Sequence, residues 1–165
     1  MNLLYIIFSR AHLKKNNFIQ RLQNITEKYN VPKNLLEIEI TESAFIDNSE
    51  VLVRIVKELK EIGFSISIDD FGSGYSGLNL LKELPVDILK LDKDFLKKGE
   101  TTDREKIIIS NVINMAKQLK ITVISEGVET LEQFNFLNEI GCDMAQGYLF
   151  AKPMPIGDFE NMLFG

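Results

Sequence analysis

The chain has 165 residues, 45% of them hydrophobic and 26% charged, the size and balance of one globular domain with a substantial core, not of a disordered segment. Its net charge of -5, from 19 Lys+Arg against 24 Asp+Glu, disfavours binding to a nucleic-acid polymer. The same charge repels any other phosphate-bearing ligand unless a metal ion or local cations reverse the field. The single cysteine, Cys142, and the single histidine, His12, exclude an internal disulfide, a thiolate zinc cluster and a multi-histidine zinc site. Cys142 itself reads as a small core residue.

Strand-length apolar runs and helical periods alternate along the chain. Residues 3–8 predict a first strand; the run is far too short to cross a bilayer and carries no signal-peptide pattern, so no membrane segment and a cytoplasmic location are expected. Phe18, Leu22, Ile25 and Tyr29 mark the face of a first helix. A strand over 35–40 leads to a second helix on Leu52, Ile55, Val56, Leu59 and Ile62, with Asp47-Asn48-Ser49 as capping side chains before it and Gly63 after it. Residues 64–68 and 88–91 predict two more strands. Thr101-Thr102-Asp103 opens a third helix on Ile108, Val112, Met115, Ala116 and Leu119. A strand over 121–124, a fourth helix on Leu131, Phe134 and Leu137 closed by Gly141, and a last strand over 144–150 complete the order.

Strands that alternate with helices imply an α/β fold with parallel pairing and right-handed crossovers. Six strands suit an open sheet or an incomplete barrel. The polar residues favour the barrel. Glu39 lies between Ile38 and Ile40, and Lys90 between Leu89 and Leu91; charges inside such strands must face a polar interior, because an unpaired buried charge is very costly. Nearly every run ends in acid or amide: Glu42, Asp69-Asp70, Asp92, Glu126 and Gln146. Side chains converging from the C-terminal ends of successive strands are the active-site arrangement of a (β/α)₈ barrel. A closed barrel takes roughly 250 residues, so about six βα units are expected here, with the first strands absent.

Five blocks carry a resemblance. Glu39-Ile40-Thr41-Glu42, Asp69-Asp70-Phe71-Gly72-Ser73-Gly74-Tyr75-Ser76, Leu89-Lys90-Leu91-Asp92, Ser125-Glu126-Gly127-Val128-Glu129 and Gln146-Gly147-Tyr148 occur in this order, followed by Pro153-Met154-Pro155. Together they resemble the signature blocks of the EAL domain family of cyclic-di-GMP phosphodiesterases. On that resemblance, residues 1–165 correspond to the C-terminal two-thirds of such a domain, an incomplete (β/α)₈ barrel.

The resemblance implies hydrolysis of cyclic-di-GMP to linear pGpG in bacterial signalling, at a site for two divalent ions, Mg²⁺ or Mn²⁺. Such ions take oxygen ligands and supply both an activated water and charge stabilisation. It makes Glu39, Asp69 and Asp70 metal ligands, with Asp69 serving both ions. Lys90 would hold or help activate the attacking water, Glu126 would act as ligand or base, and Gln146 and Asp92 would line the site. Glu42 and Glu129 would anchor the loop over residues 69–76, which in the family couples the site to a dimer interface; a homo-oligomer is expected. Taken singly, Glu42 can be a helix cap and Asp92 the start of a turn. The glycines of that loop lack the Lys-Ser/Thr pair of a P-loop.

Two departures stand against the family pattern. The Glu-Ala-Leu strand that names the family does not precede residue 3, and Glu50-Val51-Leu52 only mimics it, inside an amphipathic helix. Ile7 occupies the place of an asparagine ligand, two positions before Ser9, which Arg10 follows. With two ligands missing, the chain alone is expected to bind divalent ions weakly and to turn over slowly or not at all. A non-catalytic cyclic-di-GMP receptor or interaction module is the alternative, and a divalent-metal barrel enzyme with another substrate a third.

Overall fold

A computed structural model describes residues 4–8, 17–41, 49–72, 77–96 and 102–164. Six strands, β1 (Leu4–Phe8), β2 (Leu36–Thr41), β3 (Ser65–Phe71), β4 (Ile88–Leu91), β5 (Thr122–Ser125) and β6 (Met144–Ala145), form one sheet. Every neighbouring pair is parallel, and the order across the sheet is the order along the chain. That order decides between the two candidate architectures. A doubly wound sheet reverses its strand order at a switch point, whereas a barrel advances one way. The described strands are thus an arc of a (β/α) barrel, with β1 and β6 as its two edges.

Between the strands run α1 (Phe18–Lys28), α2 (Ser49–Ile62), α3 (Gly77–Glu83), α4 (Asp103–Gln118) and α5 (Leu131–Glu139), and α6 (Ile156–Phe164) follows β6. Short 3₁₀ turns cover Lys33–Leu35 and Lys93–Leu96. Alternation in the strands sends Ile38, Ile40, Ile66, Ile68, Leu89, Leu91 and Val123 outward into a core with Leu52, Val56, Leu59, Ile109, Ile113 and Ala116 from the helices. The opposite face carries Tyr5 and Ile7 of β1, Glu37 and Glu39 of β2, Ser67 of β3 and Lys90 of β4. Register sets Ile7, Glu39, Ser67, Ile88 and Thr122 side by side across five strands.

Helix periodicity found the helices but misplaced some faces. In α1 the buried pair is Leu22 and Thr26, while Ile25 and Tyr29 are exposed. In α4 the buried residues are Ile109, Ile113 and Ala116, with Ile108 and Leu119 exposed. Thr102 caps α4 as expected, its hydroxyl accepting from the Glu105 N–H in a capping box. Glu50 is exposed near the start of α2 and Leu52 of the same helix is buried, so the Glu-Val-Leu mimic is part of an amphipathic helix with its glutamate in solvent. Cys142 is half-buried against the core, and its Sγ contacts the Met144 carbonyl at 3.3 Å.

The last strand is shorter than expected. A Cβ on Gly147 would lie 2.2 Å from the Val128 carbonyl oxygen, so the glycine lets the chain cross closely over Val128. The Val128 N–H donates to the Gln146 carbonyl and the Leu149 N–H to the Val128 carbonyl, which turns residues 148–150 out of the strand. Helices α3 and α6 were not anticipated from the sequence. No helix among the described residues is long and apolar enough to cross a membrane.

Candidate functional site

The site lies at the C-terminal ends of β2 to β5. Glu39 is 5% exposed and Lys90 6% exposed, so both sit on the inner face with little solvent. Each needs a charged partner, and each has one: Lys90 Nζ lies 2.5 Å from Glu39 Oε1. The same ammonium lies 2.9 Å from Glu126 Oε1 and 3.6 Å from Asp69 Oδ1. Burial works against the Lys90 charge, but hydrogen bonds to Glu39 and Glu126 and the negative field of Glu126 and Asp69 outweigh it and raise its pKa above the ordinary lysine value. Burial raises the pKa of Glu39, while Lys90 opposes the shift.

Asp69 and Asp70 are consecutive, and in a regular strand they would point to opposite faces. The β3–β4 register slips between Ile68 and Phe71, and Asp70 takes a left-handed φ of 53°, a conformation aspartate tolerates better than most residues. This bulge turns both carboxylates to one site. Ligand atoms of Asp69, Asp70 and Glu126 all lie within 4.8 Å of one another. Burial, the Asp69 charge and a hydrogen bond with Asp92 push Asp70 up to about 6. Carboxylates held this close repel, and a cation relieves the repulsion. Hard oxygen donors converging in this way fit Mg²⁺ or Mn²⁺.

The next residue fixes the approach to the bulge. Gly72 has φ +94°, and a Cβ there would lie 1.9 Å from the Phe95 ring. Any side chain there would force the Phe95 ring, in the 3₁₀ turn Lys93–Leu96, to move. Asp92 starts that turn, its Oδ1 accepting from the Asp94 N–H at 2.7 Å. Its side chain also hydrogen-bonds Asp70.

Other expected residues are placed less centrally. The Gln146 N–H donates to the Ser125 carbonyl at 2.8 Å, and its side chain is exposed. Glu129 is exposed, and its N–H donates to Gln133 Oε1 at the cap of α5. Glu42 and residues 73–76 lie outside the described residues, as do Ser9, Arg10 and His12. Ile7 is 59% exposed and pairs in register with Glu39, so on the β1 side this carboxylate has a neighbour with no donor atom, while Ser67 flanks it on the β3 side.

Sequence reasoning missed Glu37 and Tyr5. Glu37 is 1% exposed, two residues before Glu39 on the same face; the alternation Leu36-Glu37-Ile38-Glu39-Ile40 was the available signal. Tyr5, on the same face as Ile7, sets its ring 5.0 Å from Lys90 Nζ.

The EAL domain family matches residues 2–153. Cyclic di-GMP phosphodiesterase NbdA of Pseudomonas aeruginosa is 37% identical over 153 residues, covering 93% of this chain and 20% of that protein. The chain likewise spans 20% of two further curated relatives. The crystal structure of the EAL domain of Mycobacterium smegmatis DcpA superposes with a TM-score of 0.89 at 34% identity, over 98% of this chain and 72% of that one. The manganese and cyclic-di-GMP complex of Klebsiella pneumoniae BlrP1 superposes with a TM-score of 0.84 at 30% identity, over 90% of this chain and 38% of that one.

Proposed function

This chain belongs to the EAL domain family, and we propose that it carries most of the active site of a cyclic-di-GMP phosphodiesterase, a divalent-metal-dependent hydrolase yielding linear pGpG in bacterial second-messenger signalling. The observation that carries the proposal is the meeting of Asp69, Asp70, Glu126, Glu39 and Lys90 at the C-terminal strand ends. Glu39, Asp69 and Asp70 are the residues to hold Mg²⁺ or Mn²⁺, with Asp69 shared if two ions load. When bound, the metal activates water and stabilises charge on the phosphate oxygens. Lys90 orients the attacking water and offsets charge, and Glu126 acts as ligand or base. Asp92 and Gln146 line the substrate side, and Glu42 and Glu129 anchor the loop over residues 69–76. The cytoplasm is the compartment of such a messenger.

Ile7 beside Glu39 weakens metal binding, so turnover by this chain is slow. Each lost ligand or supporting partner typically costs about 10–100-fold in metal affinity or activity. The test is Mg²⁺- and Mn²⁺-dependent hydrolysis measured beside equilibrium binding of cyclic-di-GMP. Asp69→Asn is expected to remove residual cleavage, and Ile7→Asn alone not to rescue it. Ile7→Asn joined to an upstream segment bearing a Glu-Ala-Leu strand is expected to restore it. A full rate from the unmodified chain would show the ligand assignment to be wrong. Binding without cleavage in the restored protein would favour the receptor reading.

Self-association belongs to the same proposal. Strands β1 and β6 end the sheet among the described residues, and Tyr148, Phe150, Ile156, Phe159 and Phe164, which follow β6 along the chain, are exposed. Uncovered edges and apolar surface favour pairing. A monomer by light scattering at high concentration would count against it.

A further inference from the structure

The third residue of α5 does more than cap that helix. Gln133 is 8% exposed. Its Oε1 accepts from the Glu129 N–H at 2.8 Å and from the Thr130 N–H at 3.0 Å, and its own N–H donates to the Thr130 hydroxyl at 3.2 Å. A glutamate here would complete the same capping box, and its charge would suit a helix N-terminus better. Only an amide also has a donating end. Gln133 turns that end away from α5: Nε2 donates to the Leu96 carbonyl at 2.9 Å, in a buried bond.

Leu96 ends the 3₁₀ turn Lys93–Leu96, and this turn touches both strand ends that carry the converging carboxylates. Asp92, just before it, hydrogen-bonds Asp70. The Phe95 ring lies against Gly72, two residues after Asp70. On the other side, a Cβ on Gly127, the residue after Glu126, would lie 2.3 Å from Lys93 Cβ. The Glu126 N–H donates to the Leu91 carbonyl at 3.0 Å. The turn is thus wedged between the end of β3 and the loop after β5, and Gln133 holds its far end.

We propose that Gln133 is a positioning residue of this site. It fastens the turn after β4 to the loop after β5, and so keeps Asp92, Asp70 and Glu126 at the spacing a divalent ion needs. The proposal rests on the divalent-metal reading of the site and deepens it. Without the amide donor the buried Leu96 carbonyl is left unsatisfied, which is costly enough to move the turn in search of another donor. Lys93 and Phe95 move with it, and they abut the neighbours of Glu126 and Asp70. Ligands must be held to within about 0.5 Å of the productive geometry, so a small shift of the turn is felt at the metal.

Gln133→Glu separates capping from fastening, because it keeps the acceptor for α5 and loses the donor for Leu96. Hydrogen exchange in the first turn of α5 is expected to stay as slow as in the unaltered 165-residue chain. The carboxyl resonances of Asp70, Asp92 and Glu126, read by nuclear magnetic resonance without metal, are expected to shift. Mn²⁺ affinity by calorimetry is expected to fall at least about tenfold. Asp143→Ala, at the opposite end of the sheet, is expected to leave those resonances and that affinity unchanged. Unmoved resonances or an unchanged affinity in Gln133→Glu would overturn the proposal and leave Gln133 a helix cap. Should Gln133→Glu fail to fold, the unaltered chain decides, because a tie that favours metal is itself favoured by metal. Saturating Mg²⁺ is then expected to slow solvent exchange of the Gln133 side-chain amide at least about fivefold, and unchanged exchange would overturn the proposal. Failure of the unaltered chain to bind Mn²⁺ would sink the metal reading, whereas the metal-free carboxyl resonances decide the role of Gln133 separately.

Discussion

The two ends of the sheet use the same residue type for opposite purposes. At the N-terminal ends of the strands, the carboxylates of Asp87 and Asp143 each accept a backbone N–H from the neighbouring strand. Asp87 accepts from the Ile66 N–H at 2.9 Å and pairs with Lys60 at 2.5 Å, and Asp143 accepts from the Val123 N–H at 2.8 Å. Each carboxylate there has its own donors. At the C-terminal ends, Asp69, Asp70 and Glu126 crowd together, with Lys90 as the shared cation for Asp69 and Glu126. An acid before a strand stabilises the fold, whereas acids after the strands leave charge for something else to satisfy. This division is the one expected of a barrel whose chemistry sits at the C-terminal face.

The contrast can be broken by mutation. Asp87→Ala is expected to have the larger effect, a loss of about 2 kcal/mol in chemical denaturation, because the Ile66 N–H loses a charged acceptor and Lys60 loses its partner. Asp143→Ala should cost about 1 kcal/mol, since one backbone donor is affected. Neither loss should depend on added Mn²⁺. Equal losses from comparable changes at the C-terminal end would erase the distinction.

Asp70→Asn should act in the other direction and by the smallest amount, with a slight rise in melting temperature of the metal-free chain at pH 7. The sign follows from the shift. Asp70 in the folded chain is pushed up to about 6 from 3.8, so the folded state holds a proton that the unfolded state has lost. The stabilisation from that proton is complete below about pH 4 and is lost as pH rises through about 6. Asparagine removes that loss. The same substitution should reduce the thermal shift produced by saturating Mn²⁺. A variant that is less stable without metal would show that Asp70 serves the fold.

The sequence alone determined the order and kind of most elements, because apolar alternation and helical period are local properties of the chain. It also determined the polar inner face, since Glu39 and Lys90 between apolar neighbours can only point somewhere polar. The faces of α1 and α4 were not legible. Ile107, Ile108 and Ile109 offer three adjacent apolar choices, and only packing against the sheet selects Ile109. The short β6 was hidden as well, because its end is imposed by the backbone of Val128, nineteen residues before Gly147. Within the site, residue types and spacing pointed to a carboxylate cluster. Only the tertiary structure decided that a bulge at Asp70 turns two consecutive aspartates to one side, and that Tyr5 reaches Lys90. Both depend on strand pairing between residues far apart in the chain, which local periodicity does not encode.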